Sequence, residues 1–590
     1  MRASGRGPAG SAFFVDGMSS SADPIFISDR SYRHGQNILN RGGVLRTRPG
    51  YSTVGTVAVG LPQALTYFRP LSGDGNLVEV ISGRAWVRSG DLSLASLLPG
   101  IQLFSFAPSV YWASAVKSVE KNPADGTLQA VEPKRVLILQ DGGFTRAAYW
   151  DGVASGHSDP TVVSDSAGNV LSAGIPLGGP IAWSGDRLWV AQKNKLFASD
   201  IADPLSFTEN EYAGEGGFFS FDDDIVALAE TPSLENPVLL VFTATKTYQI
   251  LSSIRERASW KTVNNFKSVL FPNVGCVSQR SVAAQNGLLW WYSPQAGLVN
   301  LNSAQQARLS SRITPQDTAM AVSKFNTFSR LDGVASGAFE NFLLVSVPYA
   351  DLRNQHTWVY DSAVLSEVEQ GSSGSWASVW TGTRPVEWAS GLFNGLPRCF
   401  HLSVDSDGTN RLWESFVSDR KDNSSPIECF VETKTHIDFS DKATGLDRKK
   451  IVFAEVTFTG LLGSVEVDCY WAGTRGSYHK AASFTLESTE GSIDSEVELT
   501  DEVSTYRAQQ RRLKCPNVSY TTDGECTTCK VESDATDWID TGFSLLIVWR
   551  GIAALQSYRL FCDPEQESSD GGKEFTETGP KILSGSVCSS

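Results

Sequence analysis

Four cysteines toward the end of the chain, Cys515, Cys526, Cys529 and Cys562, are the first candidates for chemistry. Cys526-Thr-Thr-Cys529 has the C-x2-C spacing with which a tight turn aims two thiolates at one tetrahedral zinc ion. No second C-x2-C follows, so a local disulfide or free thiols compete with the weak metal reading. The nine cysteines are odd in number and scattered, unlike a secreted disulfide framework. Asp222, Asp223 and Asp224 in "FDDDI" offer carboxylates to a cation, but the further spaced oxygen ligands of a calcium loop are missing. A solvated turn fits them better. The histidines, at 34, 157, 356, 401, 436 and 479, are scattered, and no G-x-S-x-G, phosphate loop or H-E-x-x-H occurs. A glycosidase needs only two carboxylates, and 65 acidic residues leave such a pair open without locating it. Asn423-Ser-Ser425 and Asn517-Val-Ser519 match the glycosylation pattern by chance in a chain without a secretory signal. The expectation is a protein that is not an enzyme, with no metal and no cofactor.

Charge pairing is a different kind of chemistry, and "NRGGVLRTRPGY" (Asn40 to Tyr51) concentrates it. The chain carries 50 Lys+Arg against 65 Asp+Glu, a net charge of −15, yet Arg41, Arg46 and Arg48 have no acid between them. Gly42-Gly43 and Pro49-Gly50 bracket an extended run. Alternation puts Val44, Arg46 and Arg48 on one face and Leu45 and Thr47 on the other. A guanidinium fork suits carboxylate or phosphate. Three partners follow, in order of preference: acids of the same chain, the acidic face of a neighbouring copy, and the phosphates of DNA.

The elements that must position these groups are strands. From about Leu65 to Phe416, alternating apolar runs are separated by turn signals such as Ser72-Gly-Asp-Gly75, Asp141-Gly-Gly143, Ser184-Gly-Asp186 and Asn286-Gly287. The units recur about every 40–50 residues, the range of propeller blades. The reading is an all-β chain: a degenerate β-propeller of six or seven blades over 61–418, with two stacked β-sandwiches as the alternative. Trp290-Trp291 fits a blade core. Residues 1–60 form an N-terminal arm with the first strands and assembly contacts, 419–428 a polar linker, 429–565 a β-sandwich-like domain, and 566–590 a C-terminal arm. Hydrophobic residues at 41% and charged residues at 19% suit a globular chain. "AFFV" is too short for the apolar core of a signal peptide, and no run approaches the ~18 apolar residues of a membrane span.

The segment "FFVDGMSSSADPIFISDRSYRHGQNILNRGGVLRTRPGY" resembles the start of the tail nozzle proteins of short-tailed bacteriophages, also called tail tubular protein B or packaged-DNA stabilisation proteins. The matching positions are Gly17, Asp23-Pro24, Asn37, Gly43, Leu45 and Arg48-Pro49-Gly50. "LFASDIADPLSF", "VFTATKTYQILS", "VGCVSQRSVAAQNGLLWWYSPQAGLVNL" and "NFLLVSVPYADLRNQHTWVYDSA", with Trp376 downstream, are similar to later family elements. The resemblance implies a propeller-bearing virion subunit that assembles as a ring of six below the portal and the tail adaptor protein. Tail fibres or a needle are its further partners. The ring would extend the channel for double-stranded DNA, retain the genome without sequence-specific binding, and release it. The cysteine-bearing C-terminal segment departs from the family pattern.

An acidic lumen would keep DNA from adhering. Within "NEYAGEGGFFSFDDD" (Asn210 to Asp224), Phe218, Phe219, Phe221 and Asp222, Asp223 and Asp224 are candidates for a channel constriction, with blade core as the competing role of the three Phe. The alternative function is a propeller that binds host surface glycan or anchors tail fibres.

Overall fold

Strand-forming runs joined by Gly, Asn and Asp turns fold as antiparallel hairpins, because these residues accept the left-handed φ that tight turns demand. Asp186, Asn286 and Asn394 take φ of 59°, 49° and 51° at hairpin tips. In a computed structural model of the chain these hairpins form the blades of a propeller. The structure describes most of residues 14–582. Outside the description lie 1–13, 20–24, 210–216, 302–330, 349–353, 366–372, 438–447, 488–517, 533–538, 565–580 and 583–590, with a few shorter gaps.

Blades 1 to 4 are four-stranded meanders over residues 62–97, 111–157, 181–220 and 225–271. Blade 5 has three described strands over 283–300, and blade 6 spans 335–380. Blade 7 takes three strands from 385–417, and its fourth is Gly50–Thr53, which pairs antiparallel with Asn410–Val417. Six blades are small sheets of their own, and blade 6 opens into a larger sheet.

Apolar faces of successive blades pack together around the whole circuit. Ala64 and Val78 meet Leu137 and Leu139 between blades 1 and 2. Leu65 and Leu77 meet Ala389 and Phe400 between blades 1 and 7, which closes the ring. Five further clusters fill the other junctions. A lone blade exposes both faces to water. The closed ring removes that exposure and leaves only short edges.

Beyond the propeller, Lys449–Gly473 and Phe543–Pro564 pair antiparallel along their whole length. Both bend, at Gly460 and Gly463 (φ 58° and 72°) and at Gly551 (φ 121°), where the register shifts. The bend lets the two strands serve two layers. One half is flanked by Cys526–Glu532 and the other by His479–Glu487. Trp471, Trp549, Leu545 and Tyr558 fill the space between. Such corner-turning strands are how sandwich layers join at an angle.

The polar stretch 419–428 is not a free linker. Lys421–Asp422 pairs in parallel with Tyr51 and continues the sheet of blade 7. The described residues of 1–60 are not a separate arm either, since Gly50–Thr53 is part of a blade. Cys526 and Cys529 lie in one extended strand, not in the tight turn of a zinc knuckle. Cys562 lies in the backbone of Phe543–Pro564, and Cys515 falls outside the described residues.

Candidate functional site

The N-terminal segment holds the densest polar chemistry of the molecule. Residues 34–53 supply strands to three places. His34–Gln36 lies between Ser373–Trp380 of blade 6 and Glu428–Glu432 of the C-terminal unit. Leu45 and Arg46 pair with Leu555 and Ala554. Gly50–Thr53 completes blade 7. Gly42 and Gly43 (φ 61° and 82°) close the hairpin between Ile38–Arg41 and Val44–Thr47, and Asn40 Oδ1 accepts from Gly43 N at 3.0 Å.

Arg48 sits at the centre and is fully buried. Its Nη1 and Nη2 donate to the two carboxylate oxygens of Asp422 at 2.9 and 2.7 Å. Nη2 also donates to the Thr381 carbonyl (2.9 Å) and Nε to Asn37 Oδ1 (3.0 Å). The guanidinium lies 4.0 Å from the centre of the Tyr51 ring. Burial works against its charge, but Tyr51 and Asp422 more than offset that and raise its pKa. Such a bidentate, stacked arrangement is specific to arginine.

Asn37 is the second hub, in the left-handed region at φ 54°. Its Nδ2 donates to Thr381 Oγ1 and to the Glu428 carbonyl, and its Oδ1 accepts from Thr381 N. One side chain thus ties blade 6 to the C-terminal unit. A Cβ on Gly50 would overlap the Lys421 carbonyl oxygen, so only glycine lets the two strands approach. Leu45 is fully buried in the shared core. Of the described positions of the family-like motif, Asn37, Gly43, Leu45 and Arg48 to Gly50 are spent on this joint, while Gly17 lies against Ser375 and Trp376 of blade 6. Asp23-Pro24 lies outside the described residues.

Arg41 pairs with the buried Asp361 of blade 6. Arg46 is exposed. The expected shared face of Arg46 and Arg48 is therefore corrected: the strand ends at Thr47, and beyond that break Arg48 is buried while Arg46 stays outside. Intrachain acids account for Arg41 and Arg48.

The constriction candidates sit at the rim of blades 3 and 4. Phe219 is in the outermost strand of blade 3, and its ring lies 5.6 Å from that of Phe266. Phe221 is buried in the cluster between those blades, so the plug role is corrected to blade core there. Phe218 packs against Phe197, with Lys195 Nζ 4.2 Å from its ring centre. Asp222 accepts from Lys246 Nζ (2.6 Å) and Tyr248, which lower its pKa, and Asp223 from Thr245. Asp224 is exposed. Trp290 and Trp291 are both buried in blade cores. Among the described residues no group of three or more His, Cys, Asp or Glu could hold a metal ion. Cys276, Cys399, Cys429 and Cys469 are buried free thiols, and burial pushes Cys429 up to about 12.

A second polar cluster, not foreseen from the sequence, crosses the propeller axis. Gln279 and Arg280 belong to a short turn before the inner strand of blade 5. Gln279 exchanges hydrogen bonds with Leu228 N and O of blade 4 (2.8 and 2.9 Å). Arg280 reaches the Gln63 carbonyl of blade 1 and, at 3.4 Å, Glu387 of blade 7. Glu387 also accepts from Trp112 Nε1 and Leu65 N, both at 3.2 Å. Burial pushes Glu387 up to about 7, with Arg280 pulling the other way. Only distance in the sequence hid this: Arg280 and Glu387 give no local signal.

No protein-family model matches the chain, and no curated protein does. Solved structures give distant propeller matches. The extracellular domain of a one-component system from B. thetaiotaomicron aligns at 10% identity and TM-score 0.32, over 78% of this chain and 61% of that one. A Trypanosoma rangeli sialidase in complex with the inhibitor DANA aligns at 8% identity and TM-score 0.27, over 88% and 94%. The AfRom2 CNH domain aligns at 9% and 0.21, over 62% and 98%. Similarity this low carries no argument about family or activity.

Proposed function

We propose that the chain is a structural virion protein: a tail nozzle subunit of a short-tailed phage, assembled as a ring below the portal and adaptor, with no catalytic step of its own. The observation that carries this reading is the joint around Arg48 and Asn37. Part of the segment that gives the chain its likeness to nozzle proteins, Asn37, Leu45 and Arg48 to Gly50, is spent on locking a propeller to a second β unit. Coupling of that kind suits a subunit that bears load while DNA is retained and then released. Self-association, the adaptor, and fibres or a needle are the partners of this reading, and double-stranded DNA passes without sequence-specific contact. The path for DNA runs between subunits rather than along the propeller axis, which Arg280 and Glu387 cross.

The test is electron microscopy and native mass measurement of the purified full-length chain and of isolated particles. A ring of copies at the tail is the expected result. A protein that has no neighbour of its own kind in intact particles would refute the proposal.

A further inference from the structure

Exposed apolar side chains are not spread evenly over the propeller. One end of blades 7, 1 and 2, where each inner strand begins, carries Val59, Leu61, Phe104, Phe106, Trp112 and Phe144, between 38% and 97% exposed. The phenyl groups form one platform: Phe104 lies 4.8 Å from Phe144 and 6.0 Å from Phe106, centre to centre. The platform is held in place from below. The buried Asp141 carboxylate accepts from Phe104 N (2.9 Å), Phe144 N (3.0 Å), Thr145 N (3.0 Å) and Thr145 Oγ1 (2.6 Å). Gln63 Nε2 donates to the carbonyls of Phe104 and Ala107. Beside Val59 the same end is hollow, with a cavity of about 400 Å³ between 53–60 and 408–411.

The opposite end of the same three blades projects hairpin tips and is also apolar. There Leu392 and Leu396 flank the hairpin tip at Asn394-Gly395, and Leu71 and Val153 stand on neighbouring tips, all 46% to 95% exposed. These tips are contiguous. The Tyr67 hydroxyl donates to the Leu392 carbonyl, and a Cβ on Gly152 would touch Pro70.

We infer that these two ends are the halves of one contact between copies of this chain, the hairpin tips of one copy seating on the phenyl platform and hollow of the next. Area favours a protein partner. The platform end exposes about 600 Å² of apolar surface at these exposures, approaching the ~800 Å² per partner of a standard interface and at the top of the ~300–600 Å² range of the largest patch on a monomer. Chemistry disfavours nucleic acid and sugar. The phenyl rings carry no polar atom, Trp112 Nε1 is spent on Glu387, the Asp141 and Gln63 groups beneath are already engaged, and nearby Arg146 is paired with Asp159. A second copy is favoured because the chain itself carries a second apolar surface, projecting tips at one end and a hollow at the other, on the same blades. Two different surfaces meeting head to tail give a ring when the rotation closes and a filament when it does not. The inference deepens the ring reading above and rests on it.

The test is sedimentation velocity of the full-length protein with two double variants at exposed positions, F106S/F144S and L71S/L396S, each checked for a wild-type thermal midpoint. Wild type should assemble beyond the dimer, and each variant alone should self-associate at least about tenfold more weakly. Mixed, the two variants should form a 1:1 dimer and nothing larger, because each retains the half the other lacks. If both variants assemble like wild type, this contact is wrong and the ring reading stands. If assembly is lost but the mixture gives no dimer, the surfaces do not meet each other and the inference is overturned. A different virion protein binding wild type but not F106S/F144S, with no self-association, assigns the platform to that protein instead. A wild type monomeric both in solution and in particles removes the ring reading as well.

Discussion

Replacing Arg48 with alanine should weaken the joint between propeller and C-terminal unit far more than the same change at Arg46, two residues away. Arg48 is fully buried and makes two short bonds to Asp422, whose side chain is 25% exposed. Removing one partner of a buried pair costs about 3–5 kcal/mol, since the other charge is left without compensation. Solvent reaches Asp422 in part, which places the cost near ~3 kcal/mol. The Thr381 carbonyl loses a donor as well. Arg46 is exposed, so its removal stays within about 0.5 kcal/mol. Arg48→Lys should fall between, because one ammonium cannot reproduce the fork and the stacking on Tyr51. A chain of this size does not unfold in two states, so a single midpoint would blur the effect. Hydrogen exchange over 34–53 and 419–428 reads the joint directly: about 3 kcal/mol is a loss of roughly a hundredfold in protection. Equal protection in the Arg48→Ala and Arg46→Ala proteins would refute the reasoning.

Three further outcomes are expected. Gly50→Ala should force apart Gly50–Thr53 and Lys421–Asp422, seen as low soluble yield or early proteolysis within 419–428. Phe221→Ala should cost about 3–5 kcal/mol as a core truncation, read as lost hydrogen-exchange protection in blades 3 and 4, whereas a gating role would leave that protection unchanged and alter DNA release. Glu387, raised to about 7 from 4.5, binds its proton more tightly in the folded chain than in the unfolded one. Its ionisation therefore costs nothing below about pH 4.5 and costs in full above about pH 7, so stability falls as pH rises through that window. Glu387→Gln should flatten that part of the stability-against-pH curve, and an unchanged slope between pH 5 and 7 would count against the buried site.

The blades were legible because each hairpin is local: alternation and the turn residues sit within one stretch, as at Ser184-Gly-Asp186 and Asn286-Gly287. The blade count stayed at six or seven because the last blade borrows Gly50–Thr53 from more than three hundred residues away. The stretch 419–428 looked like a linker for a related reason. Asp422 is polar in composition but is spent on a buried arginine, and no local pattern announces a partner so distant. Alternation failed at Arg48 because it holds only while the strand lasts, and the strand stops at Thr47. The C-x2-C spacing allowed a knuckle turn only weakly, and Thr527 and Thr528 between the cysteines favour the extended strand that forms.

These features make closure of the propeller and docking of the C-terminal unit a single event. The chain leaves the C-terminal unit at Leu45 and Arg46, passes the buried Arg48, and enters blade 7 at Gly50. With Asn37 bridging Thr381 and Glu428, and Arg48 bridging Thr381 and Asp422, neither contact can open while the other holds. The ring of blades is fastened by a strand whose far end is held in another layer. Separating the C-terminal unit from the propeller therefore also strains the pairing of Gly50–Thr53 with Asn410–Val417. In the proposed role, a subunit under pressure from packed DNA would gain from that arrangement, because the contacts of the joint support one another.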